Sequence, residues 1–488
     1  MPRPGHAASA WALAGVLFLG LLATWALAIA RYGGPDEPGH VLRAAAAAHG
    51  DVRGLPVHGL VAGFRSVEVP AALATGDPKC FRHDQRRPAT CATSAVGVSG
   101  QRRAASSAGM NPPWYYLAVG SPVRALGGES KVIGYRLAAA AWCAAVLALA
   151  FVRARPRQRL WLLIAIAPAS WFLAGVVNPN ALEIALAALA WVSLARCVSA
   201  ARPRLADLAW ISVPTALAIL IRPVAAVTGV TVLVVFAVLR RARPRLGSAG
   251  WVVLGAPPAA AALASLAWMA WAGVEVSDPR AATAEGLWHR FSDALGGVGA
   301  TMRELTGSLG WAEFSAPWIL QVAWWSAVIV AGACAWRAGG ARRWAWLVIA
   351  GSVVVVPVAF ETVLAGRLGF IWQGRYSIST AIGLVLAAPI RHATRRWSAL
   401  VAAGAVVAEV GALWATLRRY AVGTDGSWLL RDERWHPAVP PLVLLGANVL
   451  LMIALVLWAH GASGATGAAD AGSSAEPVRD LLAYDVER

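Results

Sequence analysis

The stretch LWLLIAIAPASWFLAGVVNPNALEIALAALAWVSL, from Leu160 to Leu194, holds two apolar runs separated by the turn sequence Asn-Pro-Asn. The runs are Leu160–Val177 and Ala181–Leu194, and arginines flank the pair on both sides. A helix of roughly 20 apolar residues is long enough to cross the hydrocarbon core of a membrane. The stretch therefore predicts two neighbouring transmembrane helices joined by a tight turn.

Similar apolar runs recur along nearly the whole chain. Of its 488 residues, 58% are hydrophobic and only 14% are charged, which is typical of a polytopic membrane protein. The runs predict one all-α transmembrane domain over residues 1–460, with about 12 crossing helices. The other predicted crossings are Ala8–Ala30, Tyr135–Val152, Leu205–Ile221, Val224–Leu239, Trp251–Val274, Trp318–Trp336, Trp344–Leu364, Ile378–Ile390, Trp397–Leu417 and Pro441–His460. The tail, residues 461–488, is rich in Gly, Ala and Ser, and we expect it to be disordered.

The first apolar run has two interpretations. It follows Arg3 and contains Ala26-Leu27-Ala28, which is compatible with a cleaved signal peptide. The run is longer than the usual signal core of roughly 7–15 residues, and this favours an uncleaved first helix.

The net charge of +18 resides largely in loops rich in arginine. Arginine clusters in short loops between apolar helices orient a chain in the membrane, so their pattern argues against nucleic-acid binding. An even number of predicted crossings separates each cluster from the next, so all the clusters lie on the same side of the membrane. By the positive-inside rule this side is the cytoplasm, and the predicted crossings place both termini and the tail there as well. The clusters are Arg153, Arg155, Arg157 and Arg159; Arg196, Arg202 and Arg204; Arg240, Arg241, Arg243 and Arg245; Arg337, Arg342 and Arg343; and Arg391, Arg395 and Arg396.

Two longer segments, residues 31–134 and 275–317, then face the extracytoplasmic side. Within the first, Asn111–Leu126 is predicted to be a surface helix, because counting it as a crossing would put the Arg153 cluster outside. Cys80 and Cys91 lie in the same segment, where a disulfide would contribute roughly 2–3 kcal/mol; two free thiols are the alternative. Buried core positions are predicted for the remaining cysteines, Cys143, Cys197 and Cys334.

The sequence GGPDEPGH in the first outer segment places two carboxylates, Asp36 and Glu37, between two prolines. Pro38 favours the start of a helix, so Glu37 is a plausible N-cap. A structural role in the cap needs only one carboxylate. The pair, with His40 close behind, therefore also suits a site where a proton is taken from a hydroxyl group. We assign the role of base to Asp36, because Glu37 has the better claim to the cap.

Further polar residues lie near the outer ends of the predicted helices. Polar groups at membrane depth are costly and usually face a cavity or each other. We therefore expect an outward-facing cavity in which Asp36, Arg222 and Arg375 meet. Several of these residues also have a structural alternative. Asn178 and Asn180 would only close a turn, Glu183 would pair with Arg222, and Arg367 would contact lipid headgroups. The predicted polar members are Asn178, Asn180, Glu183, Arg222, Glu361, Gln373, Arg375 and, in the same layer, Glu409.

Four stretches, GGPDEPGH, NPPWYYLAVGSP, NPNALEIALAALAW and WQGRYSIST, resemble the landmarks of a bacterial family of predicted membrane proteins. It is catalogued as domain of unknown function 2142 and is placed with the GT-C glycosyltransferases. The resemblance spans roughly Tyr32 to Pro389 and implies a GT-C-like fold with surface helices in the first outer loop. It also implies a catalytic carboxylate in that loop, which matches Asp36 with Glu37 as its neighbour. Family members commonly have Ala in place of Gly39.

The resemblance implies an inverting glycosyltransferase of the cytoplasmic membrane that acts on the extracytoplasmic side. Its donor would be a polyprenyl-phosphate sugar, and its acceptor a polysaccharide, lipid or protein of the cell envelope. On chemical grounds we expect Arg222 and Arg375, with Gln373 and Tyr376, to hold the donor phosphate, and Asp36, Glu37 and His40 to form the catalytic group. A transporter or lipid flippase and a non-catalytic component of an envelope assembly are the alternatives.

No cofactor is predicted, and a divalent metal stays open, because the sequence lacks a DxD motif in a soluble domain. The second outer segment carries Trp288, His289, Glu304 and Trp311 in a partly helical pattern. We expect it to cover the cavity or to contact the acceptor.

Overall fold

The computed structural model describes residues 4–57, 63–75, 78–92, 97–109, 111–241, 246–273, 286–389 and 395–473. Helices dominate it, as the apolar runs predict. They are α1 Pro4–Ala28, α2 Glu37–Ala48, α3 Trp114–Ala125, α4 Val132–Arg153, α5 Pro156–Ala165, α6 Pro168–Ala174, α7 Pro179–Cys197, α8 Leu205–Ile221, α9 Ala226–Arg240, α10 Ser248–Ala272, α11 Leu287–Gly296, α12 Val298–Gly307, α13 Trp318–Ala338, α14 Gly340–Leu368, α15 Ile378–Ala381, α16 Gly383–Leu386, α17 Arg395–Ala421 and α18 Pro441–Ser473. Short 3-10 helices span Ala71–Leu73, Pro78–Cys80, Pro223–Ala225 and Gly374–Ser377.

Within the described residues, 9 helices are long and apolar enough to cross a membrane. The helical, multi-pass character of the chain is thereby confirmed, while the count of about 12 crossings stays a prediction. The helices of spanning length are His6–Ala28, Val132–Arg153, Pro179–Cys197, Pro223–Arg240, Ser248–Ala272, Trp318–Ala338, Gly340–Leu368, Arg396–Ala421 and Pro441–Gly461; Leu205–Ile221 is a shorter apolar helix.

Two of the predicted crossings are broken helices. The run Leu160–Val177 folds as α5 and α6, with the break before Pro168, because proline cannot donate to the helical ladder and disfavours helix in the residue before it. The run that begins at Ile378 folds as the short helices α15 and α16, and its predicted end, Ile390, lies outside the described residues. Both broken segments pack against α7 in the interior.

Helix α7 lies at the centre of the bundle and is buried along nearly its whole length. It is apolar around its circumference, as expected of a helix enclosed by others. At its start Asn178 is the N-cap, and the side chain accepts a hydrogen bond of 3.0 Å from the backbone N–H of Asn180. The polar residues of this first turn therefore face protein rather than lipid.

Residues 31–134, the first segment predicted to lie outside, contain two packed helices, α2 and α3, and a small sheet. Helix α3 has 12 residues and measures about 18 Å, too short for the hydrocarbon core, in line with its predicted surface position. It packs closely on α2, since a Cβ on Gly120 would lie 2.1 Å from the carbonyl oxygen of Ala44. An antiparallel sheet of β1 Leu55–Pro56, β2 Arg65–Pro70 and β3 Gln101–Ser106 was not expected, and Arg65 pairs with Ser106 in its register. A further hairpin of β4 Ser308–Leu309 and β5 Phe314–Ser315 lies in the second outer segment.

Buried arginines fasten these outer loops to the helix ends. Arg65 donates to the carbonyl of Gly273 at 2.6 Å, just past the end of α10. Arg419, near the end of α17, donates to the carbonyl oxygens of Phe81, Asp84 and Arg87 and forms an ion pair of 3.2 Å with Glu313. Each guanidinium thus satisfies several backbone carbonyls that would otherwise be buried without donors.

The disulfide between Cys80 and Cys91 is confirmed, with the two Cα atoms 6.1 Å apart. It closes the same loop that Arg419 holds. The other cysteines, Cys143, Cys197 and Cys334, are free and buried, as predicted.

At the C-terminus α18 runs to Ser473, past Gly461, where the composition predicts disorder to begin. Residues 474–488 lie outside the described part of the chain, and so do Arg243, Arg245 and Arg391 of the arginine clusters.

Candidate active site

Asp36 occupies the N-cap position of α2 and has a left-handed backbone, with φ 58°. The prediction that Glu37 is the cap was therefore wrong by one residue: Glu37 is the first residue of the helix. Aspartate is among the few residues other than glycine that adopt this conformation readily. Its side chain makes no capping hydrogen bond, so the carboxylate is directed elsewhere.

Glu37 does not cap the helix; its carboxylate is buried and paired with Arg136. Arg136, in the first turns of α4, binds it through Nε to Oε1 at 2.6 Å and through Nη2 to Oε2 at 2.8 Å. The backbone N–H groups of Gly34 and Val177 donate to the two oxygens at 3.3 and 3.2 Å. With a side chain that is 0% exposed, Glu37 forms a buried ion pair with Arg136.

The carboxylate of Asp36, in contrast, is 43% exposed and accepts a hydrogen bond of 2.6 Å from Nη2 of Arg375. Burial raises the pKa of Asp36, but the positive charge of Arg375, with a smaller effect of Arg222, outweighs it, so the pKa lies below its ordinary value. Asp36 is therefore an ionised acceptor at neutral pH.

Arg375 lies in the 3-10 helix Gly374–Ser377 and uses only part of its hydrogen-bonding capacity. Its Nε and Nη1 are buried and have no hydrogen-bond partner among the described residues. The backbone N–H of Gly374 donates to Glu304 at 2.9 Å and fixes the turn against α12. A Cβ on Gly374 would lie 2.4 Å from the backbone nitrogen of Leu305, so this close approach requires glycine. The guanidinium is thus held in place, and two of its nitrogens, Nε and Nη1, have no hydrogen-bond partner among the described residues.

Arg222 follows the last residue of α8 and pairs with Glu183 of α7, with Nη1 2.8 Å from Oε2. Ser379 donates to the other oxygen of Glu183 at 2.8 Å. Asn180 donates to Oε2 at 3.3 Å, so the carboxylate is well satisfied. The guanidinium of Arg222 also lies 4.7 Å from the ring centre of Tyr376. The structural ion pair that the sequence offered as an alternative is present, and Arg222 nevertheless borders a cavity.

That cavity, called here the arginine cavity, has a volume of about 340 Å³. It brings together Asp36, Arg222 and Arg375, as expected from the sequence. Its polar wall also includes His40, Ser107, Asn111, Asn178, Asn180 and Tyr376, and its apolar wall is formed by Pro223, Val224, Met269, Phe360, Ile371 and Trp372. Two cations beside an apolar wall suit a ligand with an anionic group on an apolar body.

His40 is buried at the edge of this cavity and takes part in a short polar chain. Asn111 donates to the hydroxyl of Tyr116 at 3.0 Å, and that hydroxyl lies 2.9 Å from Nδ1 of His40. Burial lowers the pKa of His40 to about 3, although the charge of Asp36 opposes the shift. His40 is therefore neutral, and its hydrogen bond with Tyr116 joins α2 to α3.

A second cavity, of about 570 Å³, is also lined by Asp36 and is called here the strand cavity. Asp36 and Ser107 line both cavities. Arg82, Arg102 and Arg103 also line the strand cavity, with Trp311 from the second outer segment. Asp36 thus stands in the wall between two spaces of different composition.

Comparison with known proteins identifies the family. Residues 18–384 match the family described as "Predicted membrane protein (DUF2142)". The chain belongs to this family.

Solved structures add a distant likeness to ArnT from Cupriavidus metallidurans. Its apo crystal structure has 12% sequence identity and a TM-score of 0.47, covering 93% of this chain and 76% of that one. The structure bound to undecaprenyl phosphate has 12% identity and a TM-score of 0.44, covering 97% of this chain and 80% of that one. Among curated proteins, none matches.

Three of the predicted polar residues of this DUF2142 member lie away from the arginine cavity. Gln373 lines a small neighbouring cavity of about 20 Å³, and Glu361 lines another of about 180 Å³. Glu361 accepts from the backbone N–H of Trp372 and so supports the loop behind the cavity wall. Glu409 accepts from Trp25 at 2.7 Å inside the helix bundle. Neither Gln373 nor Glu361 lines the arginine cavity, although Gln373 shares its small cavity with Arg375, and Glu361 shares its own with Trp372.

In the described part of the chain, no group of three or more His, Cys, Asp or Glu side chains could hold a metal ion. Arg136 is the residue at this site that sequence reasoning missed. Its only signal was an arginine inside the apolar run Tyr135–Val152, where a charge is costly unless it is paired.

Gly39 packs closely against Ser107. A Cβ at this position would lie 2.4 Å from Oγ of Ser107. Where the resemblance leads one to expect alanine, glycine thus allows the Ser107 hydroxyl to approach α2 beside Asp36.

Proposed function

We propose that this DUF2142 protein is a membrane glycosyltransferase. It transfers a sugar from a polyprenyl-phosphate donor to a hydroxyl group of a cell-envelope acceptor, on the extracytoplasmic side. The observation that carries the proposal is the Asp36–Arg375 pair, in which an exposed carboxylate meets, at one cavity, a guanidinium with two nitrogens that have no hydrogen-bond partner among the described residues. The family placement supports the same class of reaction.

The arginine cavity has the chemistry required by the phosphate of such a donor. Arg375 lines this cavity, and a guanidinium matches the oxygens of a phosphate in charge and in hydrogen-bonding geometry. Arg222 adds a second positive charge at the same cavity. The apolar wall, with Met269, Phe360 and Trp372, would accept the first isoprene units of the lipid.

In the reaction, Asp36 accepts the proton of the acceptor hydroxyl as its oxygen attacks the anomeric carbon. The bond between that carbon and the phosphate oxygen breaks, and the phosphate departs with the electron pair. Arg375 and Arg222 stabilise the negative charge that develops on the phosphate. Attack opposite the leaving group inverts the anomeric centre, so the product has the opposite configuration to the donor.

Arg375 links donor binding to the strength of the base. In the free protein its charge holds the pKa of Asp36 low, which makes the carboxylate a weak base. A bound phosphate shares that charge, and the pKa of Asp36 rises toward values that favour proton transfer. The carboxylate thereby becomes an effective base when the donor is in place.

The Asp36→Asn variant tests the proposal. Asparagine also adopts a left-handed backbone, so the backbone at the start of α2 is preserved while the base is removed. We expect sugar transfer in isolated membranes supplied with radiolabelled polyprenyl-phosphate sugars to fall by at least about 100-fold. Protein abundance is measured in the same membranes.

Asp84→Asn is the matched control, because Asp84 is an acid of the same outer segment whose carboxylate forms a surface ion pair of 3.0 Å with Arg87. It should retain activity. Full transfer by Asp36→Asn, at equal abundance, would reject Asp36 as the base.

A further inference from the structure

We propose that the acceptor is an anionic glycan and that the strand cavity binds it through Arg82 and Arg102. This inference rests on the proposed function and names the chemical class of the second substrate. It starts from the position of Asp36 between two cavities, one suited to the donor phosphate and one not yet assigned a ligand.

The position of Asp36 makes the strand cavity the natural place for the acceptor. A base must reach the hydroxyl that it deprotonates, and that hydroxyl must face the anomeric carbon of the donor. A donor in the arginine cavity and an acceptor in the strand cavity would meet at Asp36, since this side chain lines both. Ser107, which also lines both cavities, offers a hydroxyl at the same junction.

The charge of the strand cavity favours an anionic ligand. Three of its lining residues are arginines, and Asp36, its one acidic lining residue, already pairs with Arg375. Arg103 lies 3.9 Å from Glu68 in an exposed pair. Arg82 and Arg102 have no ion pair within the described residues. The cavity therefore carries uncompensated positive charge.

The side chain of Arg82 is half-buried, and neighbouring side chains and backbone contacts set its position. Its guanidinium lies 4.9 Å from the ring centre of Trp311, a cation–π contact. Trp311 in turn donates from Nε1 to the carbonyl of Tyr32 at 2.8 Å. The backbone on both sides of Arg82 is held by Arg419, which donates to the carbonyls of Phe81 and Asp84 at 2.7 and 3.1 Å. The cation is thus presented to the cavity on a rigid support.

The size and walls of the cavity favour a short piece of glycan over a lipid or a protein. About 570 Å³ lies within the usual range of roughly 300–1,000 Å³ for small-ligand sites. Small or polar side chains, among them Ala74, Thr75, Ala104 and Ser107, form much of the wall. Carboxylate or phosphate groups on a sugar would pair with the guanidinium groups, which bind either anion in a fork.

Binding to the purified full-length protein in lipid nanodiscs tests this assignment. The probes are trigalacturonate for carboxylates, phosphorylated mannotriose for phosphates, and uncharged maltotriose. We expect at least one anionic probe to bind, with an affinity that falls as salt is added, and maltotriose not to bind. The double variant Arg82→Gln with Arg102→Gln should weaken anion binding by about 10-fold or more.

Arg86→Gln is the matched control, because Arg86 belongs to the same loop but forms an exposed pair of 3.4 Å with Asp425 away from the cavity. It should change the affinity by less than about 2-fold. Equal binding of maltotriose, equal losses in the control and the double variant, or binding only of anionic lipid vesicles would each overturn the inference. Thermal unfolding of every variant identifies losses that reflect misfolding.

Donor binding separates this inference from the proposed function. Polyprenyl monophosphate is titrated into the wild type, into Arg375→Gln and into the double variant of Arg82 and Arg102. If the wild type and the double variant bind it and Arg375→Gln does not, while no anionic glycan binds, the acceptor assignment alone fails. If the wild type does not bind it, the proposed function fails.

Discussion

The buried pair of Glu37 and Arg136 makes a prediction that separates the two adjacent carboxylates. Replacing Glu37 by glutamine removes the negative charge and leaves Arg136 buried, with side chains that are 0% and 4% exposed in the wild type. Breaking a buried pair in this way typically costs about 3–5 kcal/mol. Arg136 retains its hydrogen bonds to the carbonyls of Ala26, Ile29 and Ala30, so the lower end of that range applies.

We therefore expect Glu37→Gln to lower the free energy of unfolding by about 3 kcal/mol, roughly a 100-fold change in the unfolding equilibrium. Unfolding of the purified protein in detergent, followed by heating or by denaturant, measures the change. The Asp36→Asn variant should lose less, because its side chain is 43% exposed and borders an open cavity.

In activity the two variants should rank in the opposite order, with Asp36→Asn losing more than Glu37→Gln. The folded fraction of Glu37→Gln should transfer sugar, since Glu37 lines neither the arginine cavity nor the strand cavity and its buried ion pair with Arg136 joins α2 to α4. Exchanging both partners of the pair, with Glu37→Gln and Arg136→Met, should recover part of the lost stability because no unpaired charge remains. A Glu37→Gln protein with wild-type stability and no activity would refute this division of roles.

Three further predictions follow from the same site. At a saturating donor concentration, the residual transfer by Arg375→Gln should have the acidic limb of its pH–rate profile at higher pH, because Arg375 holds the pKa of Asp36 below its ordinary value and the ionised form is the base. Transfer measured between pH 4 and 8 checks the direction, and an unmoved limb contradicts it. Gly39→Ala should slow transfer by about 10-fold, because the added Cβ would meet the side chain of Ser107. Adding Ser107→Ala should restore the space and the rate. Transfer kinetics of the single and double variants test both expectations. Cys80→Ser should lower the free energy of unfolding by roughly 2–3 kcal/mol in the oxidised protein, and a reducing agent should lower the wild type by the same amount.

The helical, multi-pass fold was predictable because the apolar runs are long and their composition leaves few alternatives. The small sheet was not, since β2 and β3 pair across a loop and neither alternates clearly between apolar and polar residues. The break at Pro168 was also not predicted. The run Leu160–Val177 is apolar enough to cross the membrane, but the proline divides it into α5 and α6.

The candidate site was predictable where a short motif fixes the backbone and not where a distant residue decides. The prolines around Asp36 located the helix start to within one residue. Which carboxylate is free depends on Arg136, 99 residues further along the chain, and no local pattern contains that information. Arg222 and Arg375 were found because a charge near a helix end is conspicuous in an apolar sequence, whereas the loop-fastening roles of Arg65 and Arg419 are hidden among the many arginines of the chain.

The left-handed backbone of Asp36 has a consequence for how this position can change over generations. Glutamate, the nearest chemical substitute for a base, is longer and adopts this conformation poorly, so a single exchange would disturb both the backbone and the reach of the carboxylate. Asparagine and glycine suit the backbone but cannot take up a proton. A saturation library at position 36 should therefore divide into variants that fold without activity and variants that compromise the fold, with aspartate the one residue that avoids both losses.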